Sequence, residues 1–221
     1  KTAYEIYQCD WSSDVCSSDL TNLTTATTGA FEYDGTTPYF TPNGTQRGIL
    51  PSEQIYILNA NYSQGSPASG TATSLFGVGV TLSTGKRYKY HCRFTINKVG
   101  NGGNTPTIGW RLGGTAVLAA HGYQIDSAVP ATQTTPSAQS MMSNYITTGF
   151  GTAVTFNTMA ASTSAAIVDV WGHIDVTTGG TLIPQITYTY GGTLTSATIQ
   201  AMGIMRIFPV SVTGANTSVG T

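Results

Sequence analysis

The chain has 221 residues and a formal net charge of −1 at pH 7, and only 9% of its residues are charged. This balance excludes the basic field that binds nucleic acid, and no apolar run is long enough to cross a membrane. We therefore expect no binding to nucleic acid and no insertion into a membrane. The many Thr, Ser, Asn and Tyr residues and the 26 glycines are typical of an extracellular-type all-β protein, because they suit pleated sheets and tight turns.

The first twenty residues read KTAYEIYQCDWSSDVCSSDL and resemble one reading frame of a translated sequencing adapter. We therefore expect residues 1–20 to be an artifact without a fold, in a metagenomic gene fragment whose natural sequence is cut at Thr21 and lacks its true N-terminus. Without this segment Cys9 and Cys16 disappear, and Cys92 alone offers no disulfide or cysteine metal site. Eight basic and six acidic residues then remain, a formal charge of +2.

Residues 21–73 contain turn signals such as Asp34-Gly35 and Pro42-Asn43-Gly44, but few large apolar residues. This pattern predicts an irregular N-terminal leader of short hairpins and extended chain. The alternating segments begin at Ser74. We therefore expect a folded head over residues 74–211 and a flexible tail over residues 212–221.

Alternation of apolar and polar residues is the strongest structural signal in the head. In Arg87–Asn97 the apolar face consists of Tyr88, Tyr90, Cys92, Phe94 and Ile96. In Ile167–Thr177 it consists of Val168, Val170, Ile174 and Val176. The outer faces carry Lys89 and Arg93 on the first segment and Asp169 and Asp175 on the second. If the two strands are neighbours, opposite charges face each other.

Six further strands are predicted, and they are Ser74–Leu82, Thr107–Leu112, Gln139–Thr147, Ala153–Asn157, Leu182–Tyr190 and Gly203–Val210. Pro184 indicates an edge or a bulge near the start of its strand. Ser127–Pro136 is rich in Pro and Thr and predicts a loop, and Ser137–Tyr145 has helical spacing for no more than a turn. Eight or so short strands without alternating helices predict an all-β fold, an antiparallel, jelly-roll-like β-sandwich.

An ordered set of motifs accompanies this pattern, and it comprises GAFEYDG at 29–35, YFTP at 39–42, Arg47-Gly48, Pro51, SLFGVGV at 74–80 and the strand over 88–96. The set resembles the C-terminal region of uncharacterised tail-fibre-like structural proteins of tailed bacteriophages. The resemblance covers most of Ala30–Val210, and its most specific part is Gly29–Pro51. It implies a virion component, usually homotrimeric, with a β-sandwich head, and it carries over no catalytic motif.

Catalytic and metal-binding patterns are missing from the sequence. The candidate ligands have none of the tight spacings of zinc sites, and they are His91, His121, His173, Asp126, Asp169 and Asp175. Asp169 and Asp175 are about 20 Å apart along one strand, too far for joint acid–base chemistry. There is no G-x-S-x-G elbow and no phosphate-binding loop. We therefore expect no metal, no cofactor and no enzymatic activity.

Three residues are candidates for binding. Trp171 shares a strand face with Asp169, His173 and Asp175, which suits a platform for stacking carbohydrate. Alternatively, Trp171 packs at a subunit contact or under a loop. The longest predicted loops, Val99–Pro106 and His121–Pro136, carry neutral hydrogen-bonding side chains. Tyr123 is either the anchor of the second loop or a ring packed over the end of the sandwich.

The sequence as a whole favours a phage virion structural protein, a tail-fibre or appendage head that binds a host-surface glycan or protein. We expect a homotrimer in the virion, attached to other virion proteins through the missing N-terminal region. The alternative is a carbohydrate-binding module of a secreted enzyme, and a third, weaker interpretation is a capsid decoration protein. Upstream fibre repeats or an upstream hydrolase domain would separate the first two.

Overall fold

The computed structural model describes residues 27–33, 38–43, 46–50, 52–100, 105–132, 135–146, 149–159, 164–192 and 194–212. These residues contain sixteen β-strands and no helix. By its contacts the chain divides into two units, residues 1–52 with 215–221, and residues 53–214. The adapter-like segment 1–20 lies outside the described residues, as does all but the first residue of the predicted tail 212–221.

The first unit contains an antiparallel sheet of three strands, β1 (Phe31–Tyr33), β2 (Pro38–Asn43) and β3 (Gln46–Ile49). Glu32 and Arg47 form a buried, two-point ion pair, with Arg47 Nε 2.7 Å and Nη2 3.2 Å from the carboxylate oxygens. The hydrogen bond to Glu32 raises the pKa of Arg47. The most specific motif of the sequence, Gly29–Pro51, therefore contains a small sheet with a buried ion pair.

The second unit is built from two antiparallel sheets. The larger has the strands β4 (Gln54–Ile57), β5 (Tyr62–Gly65), β8 (Lys86–Gly100), β10 (Val117–Thr132), β11 (Thr135–Ile146), β13 (Ser164–Thr178), β15 (Leu194–Ile199) and β16 (Ile204–Val212). The smaller has the strands β6 (Ala72–Ser74), β7 (Val80–Leu82), β9 (Thr107–Gly114), β12 (Val154–Thr158) and β14 (Gly180–Thr189). This architecture confirms the predicted all-β, antiparallel sandwich.

The order of strands in the larger sheet is β11-β10-β13-β8-β15-β5, and β16 and β4 extend it beside the first half of β8. The 15-residue strand β8 therefore pairs with β13 on one side and with both β16 and β15 on the other. In the smaller sheet the order is β12-β9-β14-β6, with β7 also on β14.

The core lies between the two sheets, and the predicted faces of β8 and β13 are confirmed. All nine apolar residues assigned to those faces are buried. Phe94 on β8 stacks against Trp110 of the smaller sheet, with ring centroids 6.1 Å apart. Because Phe94 lies opposite Val168 in the β8–β13 register, the two predicted apolar faces form one continuous wall of the core.

The predicted charge pairing between β8 and β13 is confirmed for Arg93 but not for Lys89, which lies opposite His173. Arg93 lies opposite Asp169, with Nε 3.9 Å from a carboxylate oxygen. Arg87 lies opposite Asp175 at 3.2 Å. Each exposed pair of this kind contributes about 0.2–1 kcal/mol, so the pairs help to set the register while the buried face supplies most of the stability.

The predicted loop Ser127–Pro136 is wrong, because β10 and β11 form one long hairpin whose pairing continues to Thr132 and Thr135. Pro130 and Pro136 are paired at a point where the register shifts. Pro is tolerated at bulges and on edges, where its missing N–H breaks no ladder. Pro136 is on β11, the outermost strand of the sheet. Pro130 is on β10 beyond Ala128, where β10 no longer pairs with β13, so both prolines lie on an edge. The helical spacing of Ser137–Tyr145 also belongs to strand β11.

The sandwich begins before Ser74. Strand β4 pairs with β16, β5 pairs with β15, and β6 pairs with β14. These segments fall in the predicted leader because they are edge strands of three or four residues, too short for a clear alternation. Pro184 fits the predicted interruption. On one side of β14, strand β7 pairs with residues up to Leu182 and strand β6 pairs with residues from Gln185 onward, so Pro184 lies in the gap between the two.

Candidate functional site

A groove of about 670 Å³ lies on the outer face of the larger sheet, within the second unit. It crosses the neighbouring strands β10, β13, β8 and β16. Two cross-strand rows line it, Gln124–Trp171–His91–Arg206 and Gly122–His173–Lys89–Phe208. Every second residue of a strand points to the same face, so the alternation that buries Tyr90 and Val170 inside also presents these side chains outside.

Two glycines line the groove. Gly122 has no side chain and lies opposite His173 in the β10–β13 register. Gly172 lies between Tyr90 and Tyr123 in the register, and a Cβ there would be 2.3 Å from the Tyr90 ring. Only glycine therefore allows the Tyr90 ring to cover this position beneath the groove.

Trp171 is the most exposed aromatic residue of the groove, with 53% of its surface accessible. One face of the indole ring stacks on the His91 imidazole, with centroids 3.6 Å apart and ring planes within 7° of parallel. The His91 Nε2–H donates a hydrogen bond to Asp169 Oδ1. Asp169 thus orients His91, and His91 holds the indole in place, which leaves its other face and its edge open to a ligand.

The charged residues of the groove differ in their partners. Arg206 donates to Glu53 at 2.6 Å, and this hydrogen bond raises the pKa of Arg206. Lys89 is exposed and forms no ion pair within the part of the chain that the structure describes. Its cross-strand neighbours are His173 and Phe208, neither of which is acidic.

The residues predicted from the sequence, Tyr123, Trp171 and His173, all line this groove. The placement of Tyr123 on a loop is wrong, since it lies within β10 and is 5% exposed. Its hydroxyl accepts a hydrogen bond from Asn144 Nδ2 at 3.1 Å. Burial raises the pKa of this hydroxyl, and the bond to Asn144 partly opposes the rise. Tyr123 is therefore a residue of the groove floor and not a mobile anchor.

Four groove residues have no predicted role in binding, and they are Gln124, Arg206, Phe208 and Glu53. Lys89 is predicted only as an outer-face charge, and His91 only as one of the candidate metal ligands. The alternation of β8 and its charge complementarity with β13 could have indicated Lys89 and His91. Arg206 and Phe208 reach the groove only because β16 pairs with β8, more than a hundred residues away along the chain, and no local pattern indicates that pairing.

The arrangement is suited to binding. The second ring nitrogen of His91, Nδ1, is buried without a hydrogen-bond partner among the described residues, and the His91–Asp169 pair positions the indole. Among the described residues no group of three His, Cys, Asp or Glu side chains could hold a metal ion. Within the same residues there is also no helix long and apolar enough to cross a membrane.

Comparison with known proteins gives little further guidance. No model of a protein family matches the chain, and no curated protein matches it. Among solved structures, the chain is similar to chains in the structures of the Gx and Gt strains of infectious bursal disease virus, with 10% and 8% identity and a TM-score of 0.20 for both. The matches cover 75% and 76% of this chain but only 43% and 45% of the viral chains. Likeness at this level carries no conclusion about function.

Proposed function

We propose that the chain is the receptor-binding head of a tailed-phage appendage and that it binds a host-surface glycan in the groove around Trp171. The observation that carries the proposal is the exposed indole ring, which His91 and Asp169 hold in one orientation. A fixed aromatic ring offers an apolar face to the C–H face of a sugar. The surrounding polar side chains, such as Gln124, offer hydrogen bonds to its hydroxyl groups.

The size of the groove supports a small ligand over a protein surface. Its volume of about 670 Å³ is within the range of about 300–1,000 Å³ of small-molecule sites. It lies on rigid strands and not on loops, so little ordering of the chain opposes binding. A site of this kind accommodates a few sugar units and acts by binding, without chemistry.

The assignment to a phage virion rests on the resemblance of Gly29–Pro51 and the motifs that follow it. A carbohydrate-binding module of a secreted enzyme would use the same groove, and the two functions differ in assembly. A fibre head is expected to be a homotrimer, in which several weak sites give avidity. Light scattering on residues 21–221 at tens of micromolar separates them: a trimer supports the fibre head, and a clean monomer favours the module.

The groove itself is tested by binding to oligosaccharides released from bacterial capsules and lipopolysaccharides. At least one is expected to bind the parent protein, and Trp171→Ala is expected to weaken that binding by about tenfold or more, as for a central aromatic contact. Phe31→Ala removes an exposed aromatic residue of the other unit and serves as the matched control. The proposal fails if no oligosaccharide binds, or if Trp171→Ala binds as well as the control.

A further inference from the structure

The charges on the outer face of the larger sheet are compensated at most positions. Arg87 lies opposite Asp175, Arg93 opposite Asp169, and Arg206 is hydrogen-bonded to Glu53. Lys89 departs from this pattern. The strands on either side of it present His173 and Phe208, and no acidic side chain pairs with it among the described residues.

Lys89 and Trp171 line the same groove. In the β8–β13 register Lys89 faces His173, and Trp171 is two residues before His173 on the same face. Such diagonal neighbours are about 7–8 Å apart between their Cα atoms. The lysine stem is long and flexible, so its ammonium group reaches over a ligand that stacks on the open face of the indole. Gln124, opposite Trp171 on β10, completes the set with a neutral amide.

From this juxtaposition we infer that the groove selects an anionic sugar, whose ring stacks on Trp171 and whose carboxylate binds the Lys89 ammonium group. The inference rests on the proposed function and narrows its ligand class to acidic glycans such as uronic-acid polymers. A neutral sugar offers the ammonium group only hydroxyl oxygens, which accept weaker hydrogen bonds than a carboxylate does. An acidic sugar gains a charge-assisted hydrogen bond, in a groove where the neighbouring cation Arg206 is already neutralised by Glu53.

The test compares oligogalacturonate with its fully methyl-esterified form, which keeps the ring and loses the charge. By calorimetric titration at low salt, the acid is expected to bind roughly three- to tenfold more tightly than the ester, as for one partly exposed ionic contact. Lys89→Gln is expected to abolish the difference, and Lys89→Arg to retain it. Arg111→Gln, on strand β9 of the smaller sheet, is the control and should change neither affinity. Raising the salt concentration should also reduce the preference for the acid.

Equal affinity for acid and ester, or an unchanged preference in Lys89→Gln, overturns the inference and leaves the proposed glycan function standing. Binding of neither oligosaccharide overturns it as well, and the panel of bacterial oligosaccharides then decides the proposed function. Thermal unfolding of each variant shows whether its fold is intact. Because the Lys89 side chain is exposed, the thermal midpoints of the Lys89 variants should equal that of the parent protein.

Discussion

Gly172→Ala tests the packing beneath the groove. Gly172 lies between Tyr90 and Tyr123 in the register of the larger sheet. A methyl group at this position would be 2.3 Å from Tyr90 Cζ, 2.4 Å from Cε1 and 2.5 Å from the hydroxyl oxygen. Ordinary van der Waals contact begins at 3.4 Å, so the ring must move by about 1 Å, and a ring that is 2% exposed has little room to do so.

Overpacking of a core in this way costs about 1–3 kcal/mol, and replacing a strand glycine by alanine offsets about 0.5–1 kcal/mol of this. A ring that has to move by about 1 Å belongs in the upper part of the overpacking range, at about 2–3 kcal/mol. We therefore expect Gly172→Ala to lower the free energy of unfolding by about 1–2.5 kcal/mol and the thermal midpoint by about 2–10 °C. Urea unfolding monitored by circular dichroism measures the change, with an unchanged m-value as the sign of two-state behaviour.

The control is the same substitution with Tyr90→Leu, which removes the ring atoms that clash. In that background Gly172→Ala should cost at least about 0.5 kcal/mol less than in the parent. The reasoning is refuted if Gly172→Ala is as stable as the parent protein, or if its cost is the same in both backgrounds, because either result means that the Tyr90 ring does not cover Gly172.

Three further predictions concern the core, the N-terminal segment and pH. Phe94→Ala should lower the free energy of unfolding by about 3–5 kcal/mol. Ile167 is half-exposed, so Ile167→Ala should lower it by less than about 1 kcal/mol. Similar costs for the two variants would contradict the register. Deletion of Lys1–Leu20 should leave the thermal midpoint unchanged, and a fall of several degrees would show that the segment contributes to the fold. Burial lowers the pKa of the His121 imidazole below 6.5, and an interaction with the Phe150 backbone partly opposes this shift. The unfolded chain therefore takes up this proton first, and stability falls as the pH drops below about 6.5. His121→Leu should flatten that fall between about pH 7.5 and 5, and an unchanged slope would contradict it.

The central strands of the sandwich could be predicted because their residues alternate over a long run. In β8 and β13 the two sides differ so clearly that the buried face and the pair of Arg93 with Asp169 follow from the sequence, although the partner of Asp175 is Arg87 and not Lys89. The hairpin of β10 and β11 could not, because its tip around Pro130 and Pro136 has the composition of a loop. Only its position at a sheet edge makes those prolines compatible with strand pairing.

The groove could be predicted only in part. Trp171 and His173 stand out as an aromatic and an imidazole on a polar strand face, and both line the groove. Tyr123 reaches the same groove for a different reason, since it is a core residue opposite a glycine. The contribution of Arg206 depends on the long-range pairing of β16 with β8, which local periodicity does not encode.

The central claim is that a host-surface glycan binds on Trp171. The most direct measurement is a titration of the ¹⁵N-labelled protein, residues 21–221, with bacterial surface oligosaccharides, observing the two indole N–H resonances and assigning them with Trp171→Phe. We predict that a bound oligosaccharide shifts the Trp171 resonance and leaves that of Trp110, which is fully buried in the core, in place. A glycan that binds without moving the Trp171 resonance would contradict the account, as would the absence of binding by every oligosaccharide tested.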